Sequence, residues 1–416
     1  MAARGDHLVR ADRGFATGGG LLVRLAAPAF ARVLDRIDEQ LAVGGIDVTL
    51  PDGSQRRIGF RAAGPTAAVR LKSWMALVRL ATSGSVGWYK AWELSEWSSP
   101  DPVAIFECFS ANAVALGDIV RAKGPFRWVN ALGHRLRDNA PRKAKQNIAA
   151  HYDLGNDFYS AWLDATMTYS SARFASPEDS LEDAQRRKVA ALLDRLDLKQ
   201  GQRLLEIGCG WGSLAIEAAK RGADVVGLTL STEQKAWAEQ KAAEAGLAHR
   251  IEIRLEDYRE TAGQFDAVAS VEMVEAVGRR FWGAYLDSVE RNLKPGGRAA
   301  LQFILMDDRL FDHYARSPDF IQTYIFPGGL LIDEPEFARL ARRRGLEWQE
   351  RDSFGLDYAA TLKRWRARYD SAVANGDLQG FDDAFHDLWR YYLMYCEGGF
   401  RGGAIDVAQV TLVKPS

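Results

Sequence analysis

Cysteine is scarce in this chain. Cys108, Cys209 and Cys396 are the only three in 416 residues. They are too few to staple a secreted fold and too far apart for metal-ligand spacing, so they imply a reducing compartment. An excess of charge is missing too: 54 basic residues against 55 acidic ones leave a formal net charge of −1. That balance argues against a general polyanion binder, and nucleic acid is not expected as a partner. No run of about 18 apolar residues occurs, so nothing reads as a bilayer span. The apolar stretch at 21–30 is short and broken by Arg24 and Pro28, which makes it a poor secretory signal. The expectation is a cytoplasmic protein whose 47% hydrophobic content and length suit a large core in two domains.

What is present begins with Leu204-Leu205-Glu206-Ile207-Gly208-Cys209-Gly210-Trp211-Gly212, an apolar run, an acid and alternating glycines, followed by an amphipathic stretch from Ser213 to Arg221. The pattern predicts a strand, a tight turn and a helix N-terminus where backbone approaches a ligand closely. A dinucleotide site is disfavoured. The next strand, Asp224 to Leu228, runs into Thr229-Leu230-Ser231 with no acid for the ribose, and the third glycine of the dinucleotide spacing is absent. Glu206 before the turn suits S-adenosylmethionine (SAM) better than a pyrophosphate; the bland alternative is an α/β turn with no ligand. Phe265 to Val271 reads as a strand, Phe281 to Leu293 as a helix, Lys294 to Gly297 as a turn and Arg298 to Ile304 as another strand. Alternation of this kind implies an α/β fold with a mostly parallel sheet and a site at its carboxyl strand ends.

Residues 1–120 read as a separate, smaller α+β domain. Asp47 to Ser54 looks like a strand entering a hairpin, while Ala67 to Ala81 and Pro102 to Val120 have helical periodicity. Trp88, Trp92 and Trp97 suit a helix face packed into a core, with interface or lipid contact as the alternative. A basic linker spans 121–147, with five basic residues and one acid between Arg135 and Lys145. It is a solvated connector or a contact for anionic lipid headgroups. The catalytic domain then runs from 148 to 416.

Further motifs stand in order: His151 to Tyr159, Met167-Thr168-Tyr169-Ser170-Ser171-Ala172, Thr229-Leu230-Ser231 with Gln234, and Asp257-Tyr258-Arg259. After them come Glu272-Met273-Val274-Glu275-Ala276-Val277-Gly278, Tyr324 to Gly329, and Tyr358 to Leu362 with Trp365. Together they resemble the cyclopropane-fatty-acyl-phospholipid synthases and mycolic acid cyclopropane synthases over roughly residues 145–413. The resemblance implies a Rossmann-like SAM-dependent methyltransferase acting on a cis double bond of a membrane phospholipid's acyl chain. It implies that Tyr169 and Ser170 contact the methionine part of SAM, that Gly208 and Gly210 form the turn beneath it, and that Thr229, Leu230 and Gln234 surround the ribose. Tyr258 would lie beside the adenine, and Asp257 would also belong to the cofactor-binding residues. A homodimer docked peripherally on the inner face of the membrane is also implied. Tyr324, Phe326, Tyr358 and Trp365 are candidates to steady a carbocation through their ring faces, with core packing as the alternative.

One departure stands out. Well-known members cradle a bicarbonate base with a cysteine, a Glu-His pair and a further histidine. Here those positions hold Ser171, Glu275 with Ala276, and Gln302, while Glu272 replaces a glycine. If helical, Glu272 and Glu275 share a face, and paired acids push their pKa values apart. The expectation is that Glu272 replaces bicarbonate as base, or positions it, with Glu275, Gln302, Ser171 and Tyr358 as partners. Bicarbonate binding beside an exposed or SAM-facing Glu272 is the alternative. The same Glu-Met-x-Glu-Ala-Val-Gly pattern resembles plant cyclopropane synthases, so a ring product stays open beside a methylene-branched one. Two other functions compete: methylation of a soluble small molecule, and a lipid-binding relative with a silent site. The segment from Gly380 to Phe400 reads as a packing helix with a glycine stop.

Overall fold

The computed structural model describes residues 4–9, 27–117 and 154–416. The basic linker and His151-Tyr152-Asp153 lie outside the described residues. The chain divides into two compact units. One comprises Met1–Arg137, Asp307–Pro327 and Gln379–Ile405; the other comprises Asp138–Met306, Gly328–Leu378 and Asp406–Ser416.

In the first unit, helix α1 (Ala27–Gln40) precedes strands β1 (Gly45–Thr49), β2 (Gln55–Gly59) and β3 (Thr66–Leu71). Helix α2 (Met75–Glu93), strand β4 (Trp97–Ser98) and helix α3 (Pro102–Ala111) follow. The sheet order is β2-β1-β3-β4. The expected hairpin forms as β1 and β2, antiparallel with Ile46 opposite Ile58. The helix expected over 67–81 does not form as one element. Ala67, Val69 and Leu71 are buried while their neighbours face solvent, so the first part is a strand parallel to β1. Period two wins there because the sheet buries one face. Helix begins only at Met75, whose amide is held by Ser73 Oγ at 3.1 Å.

The three tryptophans pack on one another. Trp88 and Trp97 stack at 4.4 Å between ring centroids, and Trp97 Nε1 donates to the Trp88 carbonyl at 3.0 Å. The C-terminal packing helix spans Asp383–Gly402, capped by Asp382 at one end and left-handed Gly403 at the other. Tyr324 is fully buried here, edge-on to Tyr89 at 4.7 Å, and Phe326 meets Tyr392 at 6.3 Å. Both rings therefore belong to the first unit's aromatic core.

The second unit contains α4 (Leu181–Asp194), β5 (Arg203–Ile207), α5 (Ser213–Lys220), β6 (Asp224–Thr229), α6 (Thr232–Glu244) and β7 (Ile251–Leu255). It continues with β8 (Phe265–Val271), α7 (Trp282–Asn292), β9 (Leu293–Met306), α8 (Glu334–Arg342), β10 (Glu347–Ser353), α9 (Gly355–Asn375) and β11 (Ile405–Val413). Its seven strands run β10-β11-β9-β8-β5-β6-β7. Pairs from β7 through β9 are parallel, and β10 with β11 is antiparallel. This is a Rossmann-like sheet. The Lys294–Gly297 segment, expected as a turn, is the first part of β9, and Gly296 N–H reaches the Lys414 carbonyl at 2.9 Å. Order reverses at β5, which lies between β8 and β6, so a crevice opens at the carboxyl ends of those strands. Among the described residues no helix is long and apolar enough to cross a membrane.

Candidate active site

The crevice is a cavity of about 200 Å³. Its walls include Tyr169, Ser170, Gly208, Gly210, Thr229, Leu230, Gln234, Asp257 and Tyr258, so every residue expected at the cofactor is gathered there. Backbone geometry explains the glycines. Gly208 has φ +80° and Gly210 φ +50°, in the left-handed region that side-chain-bearing residues avoid. At Gly208 space is short as well, since a Cβ would sit 2.7 Å from Met273 Cγ. Helix α6 starts at Ser231, whose hydroxyl accepts the Gln234 amide at 3.2 Å. That places the Gln234 side chain against Thr229, Oγ1 to Oε1 2.9 Å.

Asp257 is gripped by Arg259, with Nε on Oδ1 at 2.8 Å and an Nη on Oδ2 at 2.5 Å. Burial pushes the Asp257 carboxyl up, but the Arg259 bonds win and hold it below the usual range. Tyr258 is buried, and desolvation moves its phenol up to about 12.

Glu206, the penultimate residue of β5, lies in the cavity wall, and its Oε2 finds no hydrogen-bond partner among the described residues. Desolvation pushes its pKa up to about 8, against the pull of Lys188. Lys188 was not expected in the site. A lysine on an amphipathic helix ordinarily faces water, yet it is 1% exposed and lines the cavity from α4.

The second cluster centres on Glu272, which follows β8 at φ +48°. Its Oε1 accepts from the Ser171 backbone N–H at 2.9 Å and from Gln302 Nε2 at 2.8 Å. Its Oε2 accepts from the Tyr358 hydroxyl at 2.7 Å. Burial raises the Glu272 pKa, and the Tyr358 bond, the Lys188 charge and the other two donors only partly counter it. The left-handed backbone is what aims the carboxylate at all three donors, so strain is stored where the acid sits. Ser171 contributes its amide; its hydroxyl turns to the Ala172 carbonyl. Gln302 is oriented in turn by Gln409, whose Nε2 donates to Gln302 Oε1 at 3.1 Å. Gln409 lies 107 residues away in sequence and carried no local signal.

Glu275 does not join these bonds. Residues Val274–Ala276 form a single 3₁₀ turn instead of a helix through Glu272, so the two acids leave the strand in different directions. Glu275 Oε1 accepts from Ile304 N–H at 2.5 Å, and Oε2 has no partner among the described residues. Burial first, and the Glu272 charge second, push it up to about 8. Of the expected aromatic faces, Tyr358 and Trp365 stand edge-to-face at 6.1 Å, and Trp365 also meets Tyr169 at 5.4 Å. No group of acids, histidines and cysteines suited to a metal ion occurs among the described residues.

Residues 139–410 match the family model described as mycolic acid cyclopropane synthetase. A tuberculostearic acid methyltransferase, UfaA1 of Mycobacterium tuberculosis, is 40% identical over 348 residues, 81% of this chain and 80% of that protein. The cyclopropane-fatty-acyl-phospholipid synthase of Escherichia coli is 38% identical over 269 residues, 64% of this chain and 66% of its own length. Among solved structures, mycolic acid cyclopropane synthase CmaA1 complexed with SAH and CTAB superposes at TM-score 0.60 with 31% identity, covering 65% of this chain and 98% of that one.

Proposed function

The chain belongs to the mycolic acid cyclopropane synthetase family, and we propose that its methyl acceptor is the cis double bond of an unsaturated phospholipid acyl chain. It is a SAM-dependent methyltransferase. Bound SAM supplies an electrophilic methyl group. The cavity fits it: the glycine turn leaves room for a ligand against the backbone, and Glu206 offers an unmet buried acceptor to an ammonium.

An alkene is a weak nucleophile, so these residues must hold the acceptor carbon in line within a dry site. Methylation leaves a carbocation on the chain, and the ring faces of Tyr358 and Trp365 can steady it without capturing it. Glu272 then takes a proton from the new methyl group. The C–H electron pair closes the third side of a cyclopropane, and the proton stays on the carboxylate. If a hydride shifts along the chain first, proton loss from the same methyl gives a methylene branch. One relative is named for tuberculostearic acid and another for cyclopropane fatty acyl chains, so both products stand.

The observation that carries this reading is the set of three donors on Glu272. They come from Ser171, Gln302 and Tyr358, positions that in resembling enzymes face a bicarbonate ion. Here a side-chain carboxylate already occupies them, so the residues do not fit a separate bicarbonate. Burial raises the Glu272 pKa, which makes its carboxylate a stronger base than an exposed glutamate. Because the proposed acceptor is an acyl chain of a bilayer lipid, we place substrate capture in peripheral contact with the membrane.

The test uses vesicles of unsaturated phospholipid, labelled SAM and fragmentation mass spectrometry of the lipid. Wild type should add one methylene mass at the former double bond, with fragments separating ring from branch. Glu272→Gln should cut turnover by about 10²–10⁴-fold. Near-normal turnover in that variant would remove Glu272 as the base, and unmodified lipid with wild type would remove the acceptor.

A further inference from the structure

We propose that Lys188 binds the α-carboxylate of SAM, and that with Glu206 it forms a two-charge clamp for the cofactor's amino-acid end. The proposal rests on the SAM assignment alone and stands whichever lipid is the acceptor.

The first observation is placement. Lys188 is 1% exposed and borders the same cavity as Tyr169, Ser170 and Glu206. Its ammonium is pinned there: Nζ donates to Ser170 Oγ at 2.6 Å. Gln185, three residues earlier on the same face of α4, donates to the Ser170 carbonyl at 2.8 Å. From the other side, Gln409 Nε2 binds the Lys188 carbonyl at 3.2 Å. Helix and segment 168–171 are thus tied at both ends of the lysine, and the charge cannot swing out to solvent.

The second observation is unmet capacity. An ammonium has three donors, and Ser170 is the one hydrogen-bond acceptor that Lys188 has among the described residues. Glu206 across the cavity is equally short of partners, with Oε2 buried and unbonded. The charged groups facing Lys188 are Glu272, Asp164 and Glu206. Glu272 is saturated by its three donors; Asp164 Oδ2 accepts from the Thr166 amide at 2.9 Å while its Oδ1 is buried without a partner, but of Asp164 and Glu206 only Glu206 lines the cavity. Burial outweighs all three acids and brings the lysine down to about 8, matching the rise of Glu206 to about 8. A buried cation and a buried anion that both lean toward neutrality call for a ligand carrying the complementary pair. The α-amino acid end of SAM has that chemistry: an ammonium for Glu206 and a carboxylate for Lys188, on one carbon. Charge-assisted bonds in a cavity of low polarity discriminate strongly.

The experiment measures equilibrium binding by calorimetry on the full chain, with SAH, SAM and decarboxylated SAM. The last keeps the sulfonium and the amine but lacks the carboxylate. Wild type should prefer SAM over decarboxylated SAM by about 10–100-fold. Lys188→Met should weaken SAM and SAH by a similar factor while leaving decarboxylated SAM within about threefold, collapsing the preference. Glu206→Gln should weaken both ligands alike, since both carry the amine. Equal weakening of SAM and decarboxylated SAM in Lys188→Met would make Lys188 a structural or Glu272-directed charge, and overturn the clamp. If that variant does not fold, wild type alone decides: equal affinity for SAM and decarboxylated SAM overturns the proposal. Loss of lipid turnover with this binding pattern intact would instead count against the acyl-chain reading.

Discussion

Replacing Tyr358 by Phe removes one oxygen and leaves the ring. The lost bond is the one from its hydroxyl to Glu272 Oε2, 2.7 Å long. That oxygen then keeps no donor, while Oε1 retains Ser171 and Gln302. A hydrogen bond to a charged group is worth about 1.5–3 kcal/mol, and one pKa unit is about 1.36 kcal/mol. The Glu272 pKa, already raised by burial, should therefore climb further. A base with a higher pKa is protonated over more of the acidic range, so the acid limb of kcat should move to higher pH. Below the limb the variant should run about 10–100-fold slower than wild type; well above it the gap should narrow. Turnover of labelled SAM on unsaturated phospholipid vesicles, followed from roughly pH 5 to 9, gives the profile. SAM affinity should hold within about threefold, because Tyr358 is not among the residues walling the cofactor cavity. A uniform drop in kcat at every pH, with the limb unmoved, would refute the reasoning. Tyr358 would then act on the acyl chain and not through Glu272.

Two further outcomes follow from the same geometry. Gly208→Ala should lose about 1–2 kcal/mol of stability from φ +80° alone, and more from the 2.7 Å approach to Met273; a melting shift on adding SAH equal to that of wild type would contradict the backbone cradle. Glu275 is raised from 4.5 to about 8 by burial and the Glu272 charge, so the stability linked to its neutral form is complete below pH 4.5 and disappears as pH climbs through about 8. Glu275→Gln should flatten that decline by up to about 1.4 kcal/mol per pH unit; denaturant unfolding of both proteins across that window, with parallel declines, would show that Glu275 is not the group responsible.

The cofactor half of the site was legible because its signals are local. A strand, a left-handed turn and a helix start must follow one another in sequence, so the Gly208–Gly210 turn is readable from spacing, while the family resemblance supplies Thr229 and Gln234. The base half was legible only in part. Glu272, Gln302, Ser171 and Tyr358 were named as partners, but not that Ser171 would serve through its amide or that Glu275 would turn toward Ile304. A left-handed φ at a glutamate has no sequence signature, and that angle sets where both acids point. The strand at 66–71 was misread as helix because six residues of alternation are brief beside the genuine helix that follows.

The sequence by itself determined the alternation of strand and helix, the glycine turn and the case against a dinucleotide. These depend on residue type and spacing over short distances. Tertiary structure alone decided that segments Asp307–Pro327 and Gln379–Ile405 group with the N-terminal residues. It also decided that Lys188 is buried beside Glu206 and that Gln409 sets the orientation of Gln302. The physical reason is the same in each case. A buried charge or amide is stable only where residues remote in sequence converge to satisfy it, and that convergence is a property of the packed fold.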